Sequence, residues 1–301
     1  MKFDIVTFGS AVTDTFVNTE LGAKGNFFHY KVGSKILIND LRVDIGGGGT
    51  NTAVAFARLG LKTGCITKVG KDSNGKEILK LLKKEKIKFL GNIGNKKTGY
   101  SVILDSKNKG RTILTYKGES NNIYDKDIKK FKTRWLYYSS LLGASFETQK
   151  RLAQKMHKKG TKIAFNPSEY HIKNKDLSSL LKITSILILN KEEAKLLAKK
   201  NRKKGPLLKV INSLGPKIVV ITDKDRIIQA FDGKNKFELK PNKIKVIERT
   251  GAGDAFASGF VAGIIAGKSV IKSLELGLLE GESVIRYFGA KNKLIKRNIK
   301  K

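Results

Sequence analysis

Short apolar runs alternate with stretches of helical periodicity along most of this 301-residue chain. That alternation constrains the fold more than any other feature. A strand followed by a helix and another strand requires a crossover, so the pattern predicts a mainly parallel sheet with helices on both faces. Strands are expected at 3–9, 63–69, 135–138, 162–165, 186–189 and 218–221, and helices at 50–59, 74–86, 146–158 and 192–198. Further helices are expected from Ala252 and from Val270. Two segments break the rhythm. His29, Tyr30, Val32, Ile36, Ile38 and Leu41 read as short antiparallel strands within about 26–44, joined at Gly33-Ser34. Residues 100–104 and 112–116 read as a hairpin that completes the same flap. The expected organisation is a single domain over 1–301 with a β-lid formed by about 16–45 and about 98–117.

Two glycine-rich segments point to chemistry. In Glu248-Arg249-Thr250-Gly251-Ala252-Gly253-Asp254, apolar residues at Phe256, Phe260 and Ile264 place a helix from about Ala252. Gly251 and Gly253 then sit where free N–H groups and the helix dipole favour an anion, without Cβ atoms to hold phosphate oxygens off. Asp254 is the only charged side chain between Thr250 and Gly267. A carboxylate beside an anion cradle is placed to take a proton from an attacking hydroxyl, although an acid in the first turn also simply suits the helix dipole. The other segment is Gly46-Gly47-Gly48-Gly49-Thr50-Asn51. Four glycines cost backbone entropy and suit a chain passing close to a ligand. Asn51 suits either a helix cap or a contact to a sugar hydroxyl.

Together these segments resemble the paired signatures of the PfkB carbohydrate kinase family, whose ribokinase-like members the chain is similar to over nearly its whole length. Three further motifs follow the family's order: Gly9-Ser10-Ala11-Val12-Thr13-Asp14, Val69-Gly70-Lys71-Asp72-Ser73-Asn74-Gly75 and Asn190-Lys191-Glu192-Glu193, with Asn166-Pro167 after its usual strand. The resemblance implies a ribokinase-like three-layer α/β/α sandwich with a small β-sheet lid. It implies transfer of the terminal phosphoryl group of ATP to a sugar-like hydroxyl, with Asp254 as base and Gly251, Ala252 and Gly253 as anion hole. By the same resemblance Asp14, Gly47, Gly48 and Asn51 hold the acceptor. Asn190 and Thr222 meet the nucleotide, and Glu193 organises Mg2+ through water. A nucleoside kinase of the same family and a non-catalytic sugar-binding regulator are the alternatives.

Three places depart from the family pattern. Glu248-Arg249 stands where ribokinase-like members carry an aspartate that helps hold a monovalent cation, so Glu248 becomes the candidate cation ligand and Arg249 a candidate substitute charge. Asp223-Lys224-Asp225-Arg226 replaces a glycine-containing loop after Thr222, and Val12 replaces an asparagine common in ribokinases. No basic pair in the lid stands out to hold a second phosphate. Family lids often pair between subunits, which makes a homodimer through the lid an expectation.

The formal charge of +35 raises the question of nucleic acid. The lysines recur on exposed helix faces along the whole chain instead of forming one stripe, so no specific nucleic-acid partner is expected. The basic tail 291–301 reads as a solvated end. His157 and His171 read as surface residues, and Cys65, the only cysteine, as a small buried hydrophobe. A single thiol excludes an internal disulfide and fits a reducing, cytoplasmic setting. Asp4 interrupts what would be a signal sequence's apolar core, and 255–267 is too short for a membrane span.

Overall fold

The computed structural model describes residues 2–19, 27–106 and 110–300. Its centre is a nine-stranded sheet. From one edge the order is Lys236–Leu239, Ile228–Phe231, Ile218–Thr222, Ile186–Asn190, Lys162–Phe165, Lys132–Tyr138, Lys2–Phe8, Thr63–Ile66 and Lys88–Phe89. All neighbours are parallel except at one edge, where Ile228–Phe231 runs antiparallel to both Ile218–Thr222 and Lys236–Leu239. That hairpin and the short helices Glu169–Asn174, Ser178–Leu181 and Leu207–Asn212 carried no clear sequence signal.

Alternate residues of each strand serve different helix layers, as the two-residue period demands. Val6, Leu136, Tyr138, Ile163, Leu187 and Val219 face one layer, with Phe146, Leu152 and Met156 of the helix Gly143–His157 and Leu197 of Lys191–Lys200. Ile5, Tyr137, Ala164, Ile186 and Val220 face the other, with Phe56 of Gly48–Arg58, Phe256 and Phe260 of Ala252–Ile265, and Leu274 of Val270–Ile285. The result is the α/β/α sandwich the alternation predicts. His171 departs from expectation: it is fully buried against Phe146, with ring centroids 4.6 Å apart. Cys65 is buried, and loss of solvent pushes its thiol up to about 12.

A second sheet of four strands runs Ile38–Gly46, Val12–Thr19, Gly99–Ser106 and Gly110–Tyr116. Gly33-Ser34 does form a turn, with Ser34 N donating to Lys31 O at 3.2 Å. However, among the described residues no two strands pair across it. The partner of Ile38–Gly46 is the continuation of the first strand, Val12–Thr19. Asn26 and the other lid positions 20–26 and 107–109 lie outside the described residues. Register puts Asp14, Phe16, Arg42, Asp44 and Arg111 on one face of this sheet. Phe16 meets Phe288 of the main body edge-to-face and Arg42 lies over the same ring, so that face looks inward.

Candidate active site

The parallel strands end on a common edge, and in open α/β sheets the crevice beyond the carboxyl ends is where ligands bind. Asn166, Asn190 and Thr222 sit at the ends of three adjacent strands there. With Glu193, Gly251, Gly253 and Asp254 they line a cleft of ≈ 260 Å³. The helix Ala252–Ile265 enters this cleft by its N-terminus, capped by Gly251 in the left-handed region at φ 80°. A Cβ on Gly251 would also lie 2.4 Å from the Ala290 Cβ, whereas a Cβ on Gly253 would meet nothing within 4 Å. The first glycine is therefore structural, and the second opens onto free space.

The Gly46–Gly49 run comes to Asp254 from the other side. Asn51 Nδ2 donates to Asp254 Oδ2 at 2.8 Å, and a Cβ on Gly48 would stand 3.7 Å from Asp254 Oδ1. One carboxylate oxygen is thus held and the other faces the glycine floor. Asn51 does not cap its helix, whose N-cap is Gly47 without a side-chain bond. Its Oδ1 instead accepts from Lys291 Nζ at 2.6 Å. Burial is the main influence on Asp254 and raises its carboxyl above the ordinary range, opposed by the Asn51 bond and the Lys291 charge.

Asp14 packs on Gly46, on the inner face of the four-stranded sheet. Burial raises its carboxyl too, against bonding to Ser101 and the charges of Lys291 and Arg111, with Asp44 adding to the rise. Lys117 faces Asp14, and its ammonium is held below its usual range by burial. The inner face carries two arginines, Arg42 and Arg111. Both are engaged: Arg42 with Asp40 at 2.8 Å, and Arg111 with Glu248.

Glu248 is buried, and its Oε1 accepts from Thr250 N at 2.8 Å and Thr250 Oγ1 at 2.9 Å as well as from Arg111. Arg249 is exposed. The positive charge beside Glu248 comes from across the chain, on the strand Gly110–Tyr116, and not from the neighbouring residue. Asn190 and Glu193 form a reciprocal cap: Asn190 Oδ1 accepts from Glu193 N at 2.8 Å and Glu193 Oε2 from Asn190 N at 2.9 Å. Burial, aided by Glu169, pushes the Glu193 carboxyl up to about 7. The unusual loop after Thr222 is a tight turn. Lys224 takes φ 51°, the left-handed conformation that glycine adopts freely, at a cost of roughly 1 kcal/mol.

Two residues of the site, Lys291 and Arg111, carry no signal in the sequence. Lys291 is 6% exposed and not part of a solvated tail; Leu294 and Ile299 beyond it are also buried. Neither Lys291 nor Arg111 lies in a motif, and only the contact across the fold reveals them. Among the described residues, no helix is long and apolar enough to cross a membrane.

Comparison with known proteins agrees with this fold. The family model described as pfkB family carbohydrate kinase matches residues 2–297. The chain is 30% identical to a 5-dehydro-2-deoxygluconokinase of Clostridium perfringens, covering 92% of this chain and 85% of that protein. It is 27% identical to an ATP-dependent 6-phosphofructokinase of Thermoanaerobacterium thermosaccharolyticum, covering 96% and 90%. Among solved structures, the adenosine kinase of Sinorhizobium meliloti superposes with a TM-score of 0.83 at 20% identity, covering 98% of each chain. A sheet with this crevice, and a family match over nearly its whole length, lead to one conclusion: the chain belongs to the pfkB family of carbohydrate kinases.

Proposed function

We propose that the protein transfers the terminal phosphoryl group of ATP to a hydroxyl of a sugar or sugar-like acceptor, with Asp254 as general base. The carrying observation is the position of Asp254 between two spaces. Its Oδ2 is fixed by Asn51 and its Oδ1 faces the glycine floor, while the helix N-terminus beside it opens on the cleft. A hydroxyl resting on Gly47 and Gly48, within reach of Asp14, gives its proton to Oδ1 as its oxygen attacks. The N–H groups of Gly251, Ala252 and Gly253 receive the charge of the transferring phosphoryl group, and a donor of this kind is worth roughly 10²–10³ in rate. Asn51 retains one amide hydrogen for the acceptor, because its NH2 group carries two and only one goes to Asp254.

The nucleotide extends along Asn190 and Thr222. Magnesium bound to its phosphates would neutralise charge there and keeps most of its waters. Glu193 already accepts from the backbone of Asn190 and Glu169, so it fits a water-mediated role and not direct ligation. Glu248 is engaged by Arg111, and that guanidinium takes the place of a monovalent cation. A sugar acceptor is preferred over a nucleoside because both curated relatives described above are named for sugar or sugar-acid substrates. The adenosine kinase likeness is one of fold. On its outer face the four-stranded sheet exposes Leu41, Val43, Leu114 and Tyr116, apolar area that suits pairing with a second copy through the lid.

A screen of sugars, sugar acids and nucleosides with several nucleotide donors tests the reaction. The best acceptor should lose turnover by roughly 10²–10⁴ in Asp254→Asn, with nucleotide binding kept. Near-normal turnover of that variant would end the assignment of the base.

A further inference from the structure

Asp254 is not the last member of its hydrogen-bonded chain. Lys291 Nζ donates to Asn51 Oδ1 at 2.6 Å and to the carbonyl of Ile45, and Asn51 Nδ2 donates to Asp254 Oδ2 at 2.8 Å. An ammonium can only donate, so Lys291 fixes which way the Asn51 amide points. With its oxygen committed to Lys291, Asn51 must offer N–H to the carboxylate. Were the amide reversed, its oxygen would face Asp254 Oδ2 and repel it.

The lysine is itself anchored. Its backbone carbonyl accepts from Arg58 Nη1 at 2.7 Å, and Arg58 pairs with Glu85 at 2.5 Å. Burying an ammonium is costly unless charge compensates it. Burial moves the Lys291 ammonium below its ordinary range, the charges of Asp44, Asp14 and Asp254 oppose that, and Arg58 adds to it. The other titratable group facing Asp254 is the buried hydroxyl of Tyr137.

We propose that Lys291 is a positioning residue for phosphoryl transfer: through Asn51 it orients the Asp254 carboxylate so that Oδ1 is the oxygen presented to the acceptor. Its positive charge also favours the ionised carboxylate, against the effect of burial. This rests on the assignment of Asp254 as the base. It gives the C-terminal segment a part in the site although no motif marks it, and it explains why a lysine lies buried there among three acids.

The test reads the carboxyl itself, so that it needs no acceptor. Protein labelled with 13C at the aspartate side-chain carboxyls is titrated by NMR, the Asp254 signal being assigned by its loss in Asp254→Asn. Three replacements separate the two parts of the role. Lys291→Met removes donor and charge, Lys291→Gln keeps a donor for Asn51 without charge, and Lys291→Arg keeps both. The Asp254 midpoint should rise by about one pH unit in Lys291→Met and Lys291→Gln, as expected when an opposite charge is taken away, and stay near wild type in Lys291→Arg. With an acceptor in hand, the acid limb of kcat/KM should move by the same amount. Turnover at neutral pH should fall about 10²-fold in Lys291→Met, the scale of a misplaced reacting group, and less in Lys291→Gln. If methionine prevents folding, the glutamine variant carries the test. Unchanged Asp254 titration in a folded, uncharged variant would overturn the inference, as would a loss of activity that is uniform in pH and follows melting temperature alone. A fully active Asp254→Asn would instead strike the underlying assignment of the base.

Discussion

The two glycine segments look alike in sequence and differ in what they are for. Gly251-Ala252-Gly253 leads into a helix whose N-terminus opens on the cleft, and beside Gly253 there is open space within 4 Å. Gly46–Gly49 is a packing device. A Cβ on Gly47 would lie 2.5 Å from Ser10 O, on Gly48 2.7 Å from the Ser139 side chain, and on Gly49 2.6 Å from the Gly9 backbone. Gly47 also takes φ 97°. These glycines let two chain segments cross at the mouth of the cleft, and the acceptor floor proposed for them would be the by-product. A glycine run is evidence of close approach, but the approaching partner can be the protein's own backbone.

The contrast can be broken by substitution. Gly49→Ala should have the largest effect. Its methyl meets immovable backbone, so thermal or urea unfolding should show a loss of about 3 kcal/mol or more, or no folded protein at all. Next is Gly253→Ala, which should leave stability within about 1 kcal/mol of wild type, alanine being the better helix former. Its methyl would stand in the anion space and should lower turnover about 10- to 100-fold. Unfolding of Gly253→Ala, or a stable Gly49→Ala, would erase the distinction.

The pH dependence sharpens it. Asp254 must be ionised to accept a proton, and burial raises its carboxyl. Activity should therefore fall as pH drops through a value above the ordinary carboxylate range near 3.9, with the protein still folded by circular dichroism. An acid limb no higher than that of a solvated aspartate would contradict the burial. The smallest effect concerns the lid. With Arg111 serving Glu248, wild-type turnover should be the same in sodium and potassium. Arg111→Ala should cost about threefold in acceptor KM, the scale of one partly exposed ion pair, and acquire stimulation by potassium. Potassium activation of the wild type would show that the guanidinium does not replace a cation.

Much of this was legible in the chain. The central strands and the helix start near Ala252 are legible from hydrophobic period, because neighbours in sequence impose it. The meeting of Asp254 with the cleft residues Asn190 and Thr222 is what the family resemblance implies, and the structure brings them together because parallel strands put their carboxyl ends on one edge. The flap was read as a hairpin at Gly33-Ser34, yet Val12–Thr19 pairs with both Ile38–Gly46 and Gly99–Ser106. Strand pairing between distant segments leaves no local trace, so alternation alone could not choose the partner.

The amino-acid order by itself settled the sheet-and-helix alternation, the anion-ready helix end and the solitary acid behind it, because each depends on residues within a turn or two of one another. Tertiary structure alone decided that Asn51 links Asp254 to Lys291, that Arg111 and not Arg249 serves Glu248, and that Gly47 and Gly49 meet backbone while Gly46 and Gly48 meet the side chains of Asp14 and Ser139. Those contacts join residues far apart in sequence. Their strength comes from burial and fixed geometry, which no local pattern encodes.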